Sequence, residues 1–268
     1  MAIQIGIGSW ADPEYAELLH PRGLSADRRL SAYAMWFHHV EVNATYYALP
    51  KKEAVTKWGE ATPDSFLFDI RLPRAISQSP EKAAADGRLL GYLFEGLAPL
   101  IEARKLGTFL LVLSPFFKPE KHRLEELDGL IEKLKPHPVA IELRHRAWVG
   151  KDQRDTTLAF FRERHATWVA VDMPQLEDSE LMPAVDEVTT PGLAYLRLHG
   201  RNPFYLKSKT AEERHTYAYS GDDLQEIVKR IETLSSQAKN VRVVANNHAS
   251  DFAPLAALTL KQMLGQFD

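Results

Sequence analysis

Eight short apolar, β-rich runs recur along the chain, at Ile3 to Gly8, His39 to Val42, Phe66 to Ile70, Thr108 to Leu113, Val139 to Leu143, Thr167 to Val171, Leu193 to Leu198 and Val241 to Ala245. Their starts lie 36, 27, 42, 31, 28, 26 and 48 residues apart, which suits a strand, a crossover and the next parallel strand and is far too long for hairpins. The crossovers carry helical periodicity. Leu30, Tyr33, Ala34 and Phe37 follow a candidate N-cap at Ser25, and Leu124, Leu127, Ile131 and Leu134, then Leu224, Ile227, Ile231 and Leu234, keep a similar spacing. Pro50 and Pro254 fit helix starts, whereas Pro99 is expected to kink or divide the helix implied by Leu89, Tyr92, Leu93 and Leu97. Between the sixth and seventh runs, Pro174, Pro183 and Pro191 predict an irregular crossover without a helix.

Parallel strands with right-handed crossovers form either an open doubly wound sheet or a closed barrel. Strands recur along the whole chain, and polar residues end most of them instead of clustering at one switch point. Both features favour an α/β fold of the (β/α)8 TIM-like barrel type, as a single domain over residues 1–268, near the ~250 residues usual for such barrels. Gly6-Ile7-Gly8-Ser9-Trp10-Ala11 matches a dinucleotide-binding string, but Asp12-Pro13 interrupts the helix that should follow it. Glycine in the first strand is better explained as making room for large neighbours.

Composition narrows the chemistry. With 33 Lys plus Arg against 36 Asp plus Glu, the chain lacks the basic excess of a dedicated nucleic-acid binder. With no Cys, disulfides, thiolate metal sites and a thiol nucleophile are excluded. The longest apolar run, Ala32 to Phe37, cannot span a bilayer, and Met1 to Gly8 lacks the basic start and long apolar core of a signal peptide. A cytoplasmic protein without a membrane partner is expected.

Residues two apart on a strand share a face. This rule pairs Glu41 with Asn43, Asp69 with Arg71, Glu142 with Arg144 and Arg197 with His199, leaving Val40, Val42, Ile70, Ile141, Leu143, Leu196 and Leu198 on the other face. Helices cover the outside of a barrel, so the apolar set belongs outside and the polar set inside, with Asp172 as a fourth inward acid. The set either forms an interior ion-pair network, each Arg bridging a carboxylate on a neighbouring strand, or lines a pocket at the barrel mouth. Asn246-Asn247-His248 ends the last strand, and His145 and Trp148 either pack a loop or face a ligand. The stretch from Gly200 to Gly221 interleaves Arg201, Lys207, Lys209 and Arg214 with Phe204, Tyr205, Tyr217 and Tyr219, a composition suited to an ordered loop or a lid.

Four strings in order, Val40-Glu41-Val42-Asn43-Ala44-Thr45-Tyr46-Tyr47 with Pro50, Glu142-Leu143-Arg144-His145 with Trp148, Tyr195-Leu196-Arg197-Leu198-His199-Gly200, and Asn246-Asn247-His248, resemble the YecE-like family, domain of unknown function seventy-two. The resemblance spans nearly the whole chain. It implies a (β/α)8-like barrel, and supports Glu41, Asn43, Glu142, Arg144, Arg197, His199 and Asn246 around one mouth. This chain departs from the family's tendency at Arg71 and Ser77-Gln78, and again at His248 with Ser250-Asp251.

Three functions are compatible with this set. In the first, an enzyme without an obligatory organic cofactor acts on a small anionic, phosphate- or carboxylate-bearing, or polyhydroxylated substrate. Arg144 and Arg197, with Arg71, hold the anion, Asn43, Asn246 and His248 complete the binding set, Glu142 or Glu41 is the general base and His199 its proton partner. In the second, Glu142, Asp172, His199 and His248 hold divalent ions in a phosphodiesterase acting on nucleic acid, against the repulsion of three nearby guanidiniums. In the third, the same anion-binding site holds a phosphate-bearing ligand or nucleic acid without catalysis.

Overall fold

The computed structural model describes residues 2–176, 179–247 and 250–267. Eight parallel strands, β1 (Ala2–Ile7), β2 (His39–Val42), β3 (Leu67–Arg71), β4 (Leu106–Val112), β5 (Val139–Glu142), β6 (Thr167–Asp172), β7 (Ala194–Leu198) and β8 (Asn240–Ala245), lie in the order β1-β8-β7-β6-β5-β4-β3-β2. Around them run α1 (Ala26–Tyr33), α2 (Lys52–Glu60), α3 (Arg74–Gln78), α4 (Pro80–Asp86), α5 (Arg88–Glu102), α6 (Asp128–Leu134), α7 (Arg154–Glu163), α8 (Ala211–His215), α9 (Gly221–Ser235) and α10 (Phe252–Met263). The result is the expected (β/α)8 architecture as a nearly closed barrel.

The apolar face of each strand is buried against helices. Val40, Val42, Ile70, Ile141, Leu143, Leu196 and Leu198 are all buried, and Phe94 of α5 meets Phe109 of β4 edge-on at 5.7 Å, as Phe161 of α7 meets Trp168 of β6 at 5.3 Å. At ~1.5–3 kcal/mol for each fully buried large apolar side chain, this annular layer between sheet and helices is the main source of stability. The barrel axis is different in kind. It is filled by charged and polar side chains from alternate strand positions.

No ladder joins β1 to β2 among the described residues. The seam is bridged instead by Tyr33 of α1, whose hydroxyl accepts from the Ile7 N–H at 3.1 Å and donates to the His39 carbonyl at 2.9 Å. Asn43 adds a bond from Nδ2 to the Gly8 carbonyl at 3.2 Å. The glycines of β1 permit this approach: a Cβ on Gly6 would lie 2.6 Å from the His39 carbonyl oxygen, and one on Gly8 would strike the Asn43 and Asn246 amides. The dinucleotide-like string is therefore a packing device, and Asp12 caps a short 3-10 turn at Pro13–Tyr15 where the phosphate-binding helix would have to begin.

Two local expectations resolve differently. The crossover from β6 to β7 has no helix among its described residues, as its prolines predict. Pro99, however, does not divide α5, which runs from Arg88 to Glu102. It falls within one turn of the helix end, so the bond it cannot make, to the Glu95 carbonyl, is one of the last in the ladder.

Candidate functional site

The polar axis is built in tiers. Near the strand starts, Arg242 of β8 pairs with Asp69 of β3, and its Nε donates to Gln4 of β1 at 3.1 Å. Above them the Tyr195 hydroxyl lies 3.0 Å from Glu41 Oε2 and 3.2 Å from Asp69 Oδ2, with one proton for two carboxylates. Burial, countered by Arg242 and reinforced by Glu41, raises the Asp69 pKa to about 6. Arg197 comes next. Its Nε and Nη2 form a fork onto Glu41 at 2.9 and 2.6 Å, and Nη1 donates to Glu142 Oε2. Arg197 is 1% exposed, so its donors are spent on two buried carboxylates rather than offered to a ligand. The expectation that Arg197 clamps the substrate anion is thereby corrected, because β2 and β5, which do not adjoin β7 in the sheet, send carboxylates across the barrel to every arm of its fork. Both oxygens of Glu41 are taken in turn by Arg197 and Tyr195.

At the mouth, a chain of hydrogen bonds runs in one direction. Arg71 Nη1 donates to Asn43 Oδ1 at 3.1 Å, and Asn43 Nδ2 donates to Asn246 Oδ1 at 3.0 Å. Asn246 Nδ2 then meets His199 Nδ1 at 3.3 Å, and His199 Nε2 meets Glu142 Oε2 at 3.1 Å. Because the Asn246 oxygen is already an acceptor, its amide must donate, which makes His199 Nδ1 an acceptor and Nε2 the protonated nitrogen. Burial, with Arg197 and Arg144 nearby, lowers the His199 pKa despite Glu142, and the neutral tautomer that the chain demands is the one favoured. Burial pushes the Glu142 carboxyl up, but Arg197, His199 and Arg144 hold it well below the usual carboxylate range. The chain therefore ends on an ionised carboxylate.

Three buried atoms around this carboxylate have no hydrogen-bond partner: Glu142 Oε1, Arg71 Nε and Arg144 Nε. Arg144 Nε stands 3.6 Å from Glu142 Oε1, beyond a hydrogen bond. Arg144 is steadied by a bond from Nη2 to the Tyr205 hydroxyl at 2.9 Å, and Arg71 by the Tyr46 ring 4.1 Å beneath its guanidinium. With His199 neutral, the guanidiniums of Arg71, Arg144 and Arg197 outnumber the carboxylates of Glu41 and Glu142, so the mouth carries one positive charge in excess.

Asp172 is the second correction. On β6 it shares its face with Trp168, which packs on α7, so it points away from the axis and accepts from Arg230 of α9 at 2.9 Å, from Arg201 at 3.0 Å and from the Tyr219 hydroxyl at 2.9 Å. Arg201 is spent there and on Asp223 and Glu226. Of the four residues in the metal reading, Glu142 and His199 share the axis, Asp172 does not, and His248 lies outside the described residues. No group of three or more His, Asp or Glu is arranged to hold a metal ion among the described residues. His145 caps a turn by accepting from the Ala147 N–H, and Trp148 stacks on Phe117, so both serve the loop after β5.

The loop after β7 is tied to the mouth: His215 Nδ1 lies 3.0 Å from the His199 carbonyl, Asn247 Nδ2 donates to the Tyr217 carbonyl, and Tyr205 and Tyr219 hold Arg144 and Asp172. Arg242, Tyr195 and Gln4 were not singled out from the sequence. The period-two rule reaches them, since Arg242 shares a face with Asn246 and Tyr195 with Arg197, but they lie toward the strand starts, away from the ends where that rule was applied.

Eight parallel strands in a nearly closed barrel, alternating with helices, define a TIM-barrel protein. The chain belongs to the family described as protein of unknown function DUF72, whose model matches residues 4–268. UPF0759 protein YunF of Bacillus subtilis (strain 168) is 27% identical over 274 residues, covering 99% of this chain and 95% of that protein. UPF0759 protein YecE of Escherichia coli (strain K12) is 32% identical over 161 residues, 58% of this chain and 53% of that protein. A DUF72 family crystal structure from Enterococcus faecalis V583 superposes with a TM-score of 0.89 at 30% identity, covering 99% of this chain and 97% of that one. One from Thermotoga maritima MSB8 gives 0.85 at 28%, covering 99% and 100%. No helix among the described residues is long and apolar enough to cross a membrane.

Proposed function

We propose that this chain is an enzyme acting by acid/base chemistry on a small anionic or polyhydroxylated substrate at the C-terminal mouth of the barrel. The observation that carries the reading is the set of unused buried atoms, Glu142 Oε1 with Arg71 Nε and Arg144 Nε. Each such atom costs ~1–3 kcal/mol when left unpaired. A substrate that offers a hydroxyl to the carboxylate and a phosphate or carboxylate to the guanidiniums satisfies all three, and the excess positive charge favours it. Glu142 is the base in this reading. It is ionised at neutral pH, and the proton it receives is one acidified by the anion's contact with Arg71 and Arg144. Glu41 holds Arg197 in place, and His199 is a positioning residue, because each of its ring nitrogens is engaged.

A turnover screen over phosphate monoesters, sugar phosphates and hydroxy acids tests this. Glu142→Gln is expected to abolish turnover while leaving phosphate binding within about threefold, since the charges on Arg71 and Arg144 remain. His199→Asn should lower kcat and shift its pH profile, and the double variant should cost little more than the worse single one. Full turnover in Glu142→Gln would sink the proposal.

A further inference from the structure

The opposite end of the barrel, where β4 to β8 begin, holds a cavity of about 400 Å3. Its polar lining includes Lys135, His137, Arg164, His165, Asn240 and Arg242, and no carboxylate among the described residues lines it. Arg242 is 6% exposed. Its Nη1 pairs with Asp69 and its Nε donates to Gln4, while Nη2 has no protein partner among the described residues. The guanidinium reaches the edge of this space together with its partner carboxylate: a Cβ on Gly107, which also lines the cavity, would strike Asp69 Oδ1 and Arg242 Nη1. Lys135 and Arg164 pair with Glu132, Asp128 and Glu163, but those carboxylates are 44 to 71% exposed and lie outside the cavity lining. The Lys135 pair, with both side chains more than half exposed, is worth ~0–1 kcal/mol, so Lys135 can turn inward to a ligand at little cost. Arg164, in contrast, is held at the cavity wall by its fork onto Asp128 and by the Phe160 ring beneath it. Ile131, Val139 and Leu193 give the same space an apolar wall.

We infer that this cavity is a second binding site, at the N-terminal end of the barrel, for a small phosphate-bearing molecule. Three cationic side chains lining one space, with the nearest carboxylate, Asp69, already taken by Arg242, suit a dianion, and the buried guanidinium supplies the fixed, desolvated anchor that a surface lysine cluster lacks. The apolar wall then takes the carbon skeleton, so a phosphate monoester binds more tightly than inorganic phosphate.

The test is calorimetric titration of the full-length chain with inorganic phosphate, glycerol 3-phosphate and glycerol. An Arg71→Gln/Arg144→Gln background, in which the mouth is disabled, keeps the outcome independent of the proposed function. One equivalent of glycerol 3-phosphate should bind in that background, more tightly than inorganic phosphate, and glycerol should not. Adding Lys135→Gln and Arg164→Gln should weaken binding roughly tenfold or more, as expected for loss of charge-assisted contacts. In the wild-type chain the same titration should move the ring resonances of His137 and His165, which report on this cavity separately from His199 and His215 at the mouth. The inference is overturned if binding disappears in the mouth-disabled background, or if it survives the Lys135 and Arg164 substitutions undiminished. It is equally overturned if His137 and His165 do not respond while the mouth histidines do.

Discussion

Arg197→Met isolates the energetic role of the barrel axis. The substitution nearly conserves the stem but removes three hydrogen bonds, two to Glu41 and one to Glu142, from a site that is 1% exposed. Removing one partner from a buried charge pair costs ~3–5 kcal/mol, because the other charge stays behind without compensation. Two carboxylates are stranded here, so the upper part of that range is expected, against a total stability of ~5–15 kcal/mol. The pH dependence follows from linkage. In the wild type the folded-state pKa of Glu142 is depressed, so its contribution is present above the unfolded carboxylate value and is lost as pH falls through the folded one. Without Arg197 the burial of Glu142 dominates and its folded pKa rises above the unfolded value, so the variant gains stability as pH falls. The gap between wild type and variant should therefore be widest near neutral pH and should narrow on acidification to about pH 5. Urea denaturation followed by far-UV circular dichroism at several pH values reads this directly. Adding Glu41→Gln and Glu142→Gln to Arg197→Met should recover more than half of the loss. A variant within ~1 kcal/mol of wild type at neutral pH, with a gap that does not change with pH, would refute the reasoning.

Asp69 gives the opposite slope: with its folded pKa raised to about 6, stability falls as pH rises from the unfolded carboxylate value through that point, and Asp69→Asn should flatten this part of a stability–pH curve. Gly8→Ala drives a methyl into Asn43 and Asn246 and breaks the directed chain to His199, so a loss of ~1–3 kcal/mol in denaturant melts should accompany a changed pH titration of the His199 ring. Tyr205→Phe removes the hydroxyl that steadies Arg144, and should weaken phosphate binding at the mouth by about threefold to tenfold in calorimetry with less than ~1 kcal/mol change in stability. Tyr33→Phe takes away both bonds across the β1–β2 seam, and hydrogen exchange at the Ile7 amide should accelerate well before that of β4 or β5.

Strand positions were legible because parallel strands buried on both faces read as apolar runs, and every run coincides with an observed strand to within two residues at each end. Period-two alternation placed Glu41, Asp69, Glu142, Arg197 and His199 on the axis, since an intervening Val, Ile or Leu marks the outer face. The same principle explains the failure at Asp172. In Thr167-Trp168-Val169-Ala170-Val171 both faces are apolar, no alternation exists to be read, and a terminal acid can be given either direction. Whether Arg197 meets a ligand or a pair of carboxylates depends on which strands neighbour one another across the barrel, and Glu41 and Glu142 are far from it in sequence. Tyr205 was visible only as part of a basic and aromatic loop, because the fold of that loop decides which aromatic reaches Arg144.

The seam held by Tyr33 has a consequence for the order of events in synthesis. Strands β3 to β8 each pair with the one before it, so a sheet can lengthen from β2 as the ribosome delivers them. Strand β1 is different: it emerges ahead of the other strands, yet its ladder is with β8, the last of them, with Ala2 opposite Asn240. Until β8 arrives, the backbone at β1 has the Tyr33 hydroxyl at the Ile7 amide and the Asn43 amide at the Gly8 carbonyl to hold it near the growing sheet. The barrel thus closes like a clasp whose two halves are the first and the last of its eight strands to be made. A circular permutant that opens the chain between β1 and α1 and carries β1 directly behind α10 would place the clasp's halves next to each other, shorten the longest loop closure in the fold and hasten its final step.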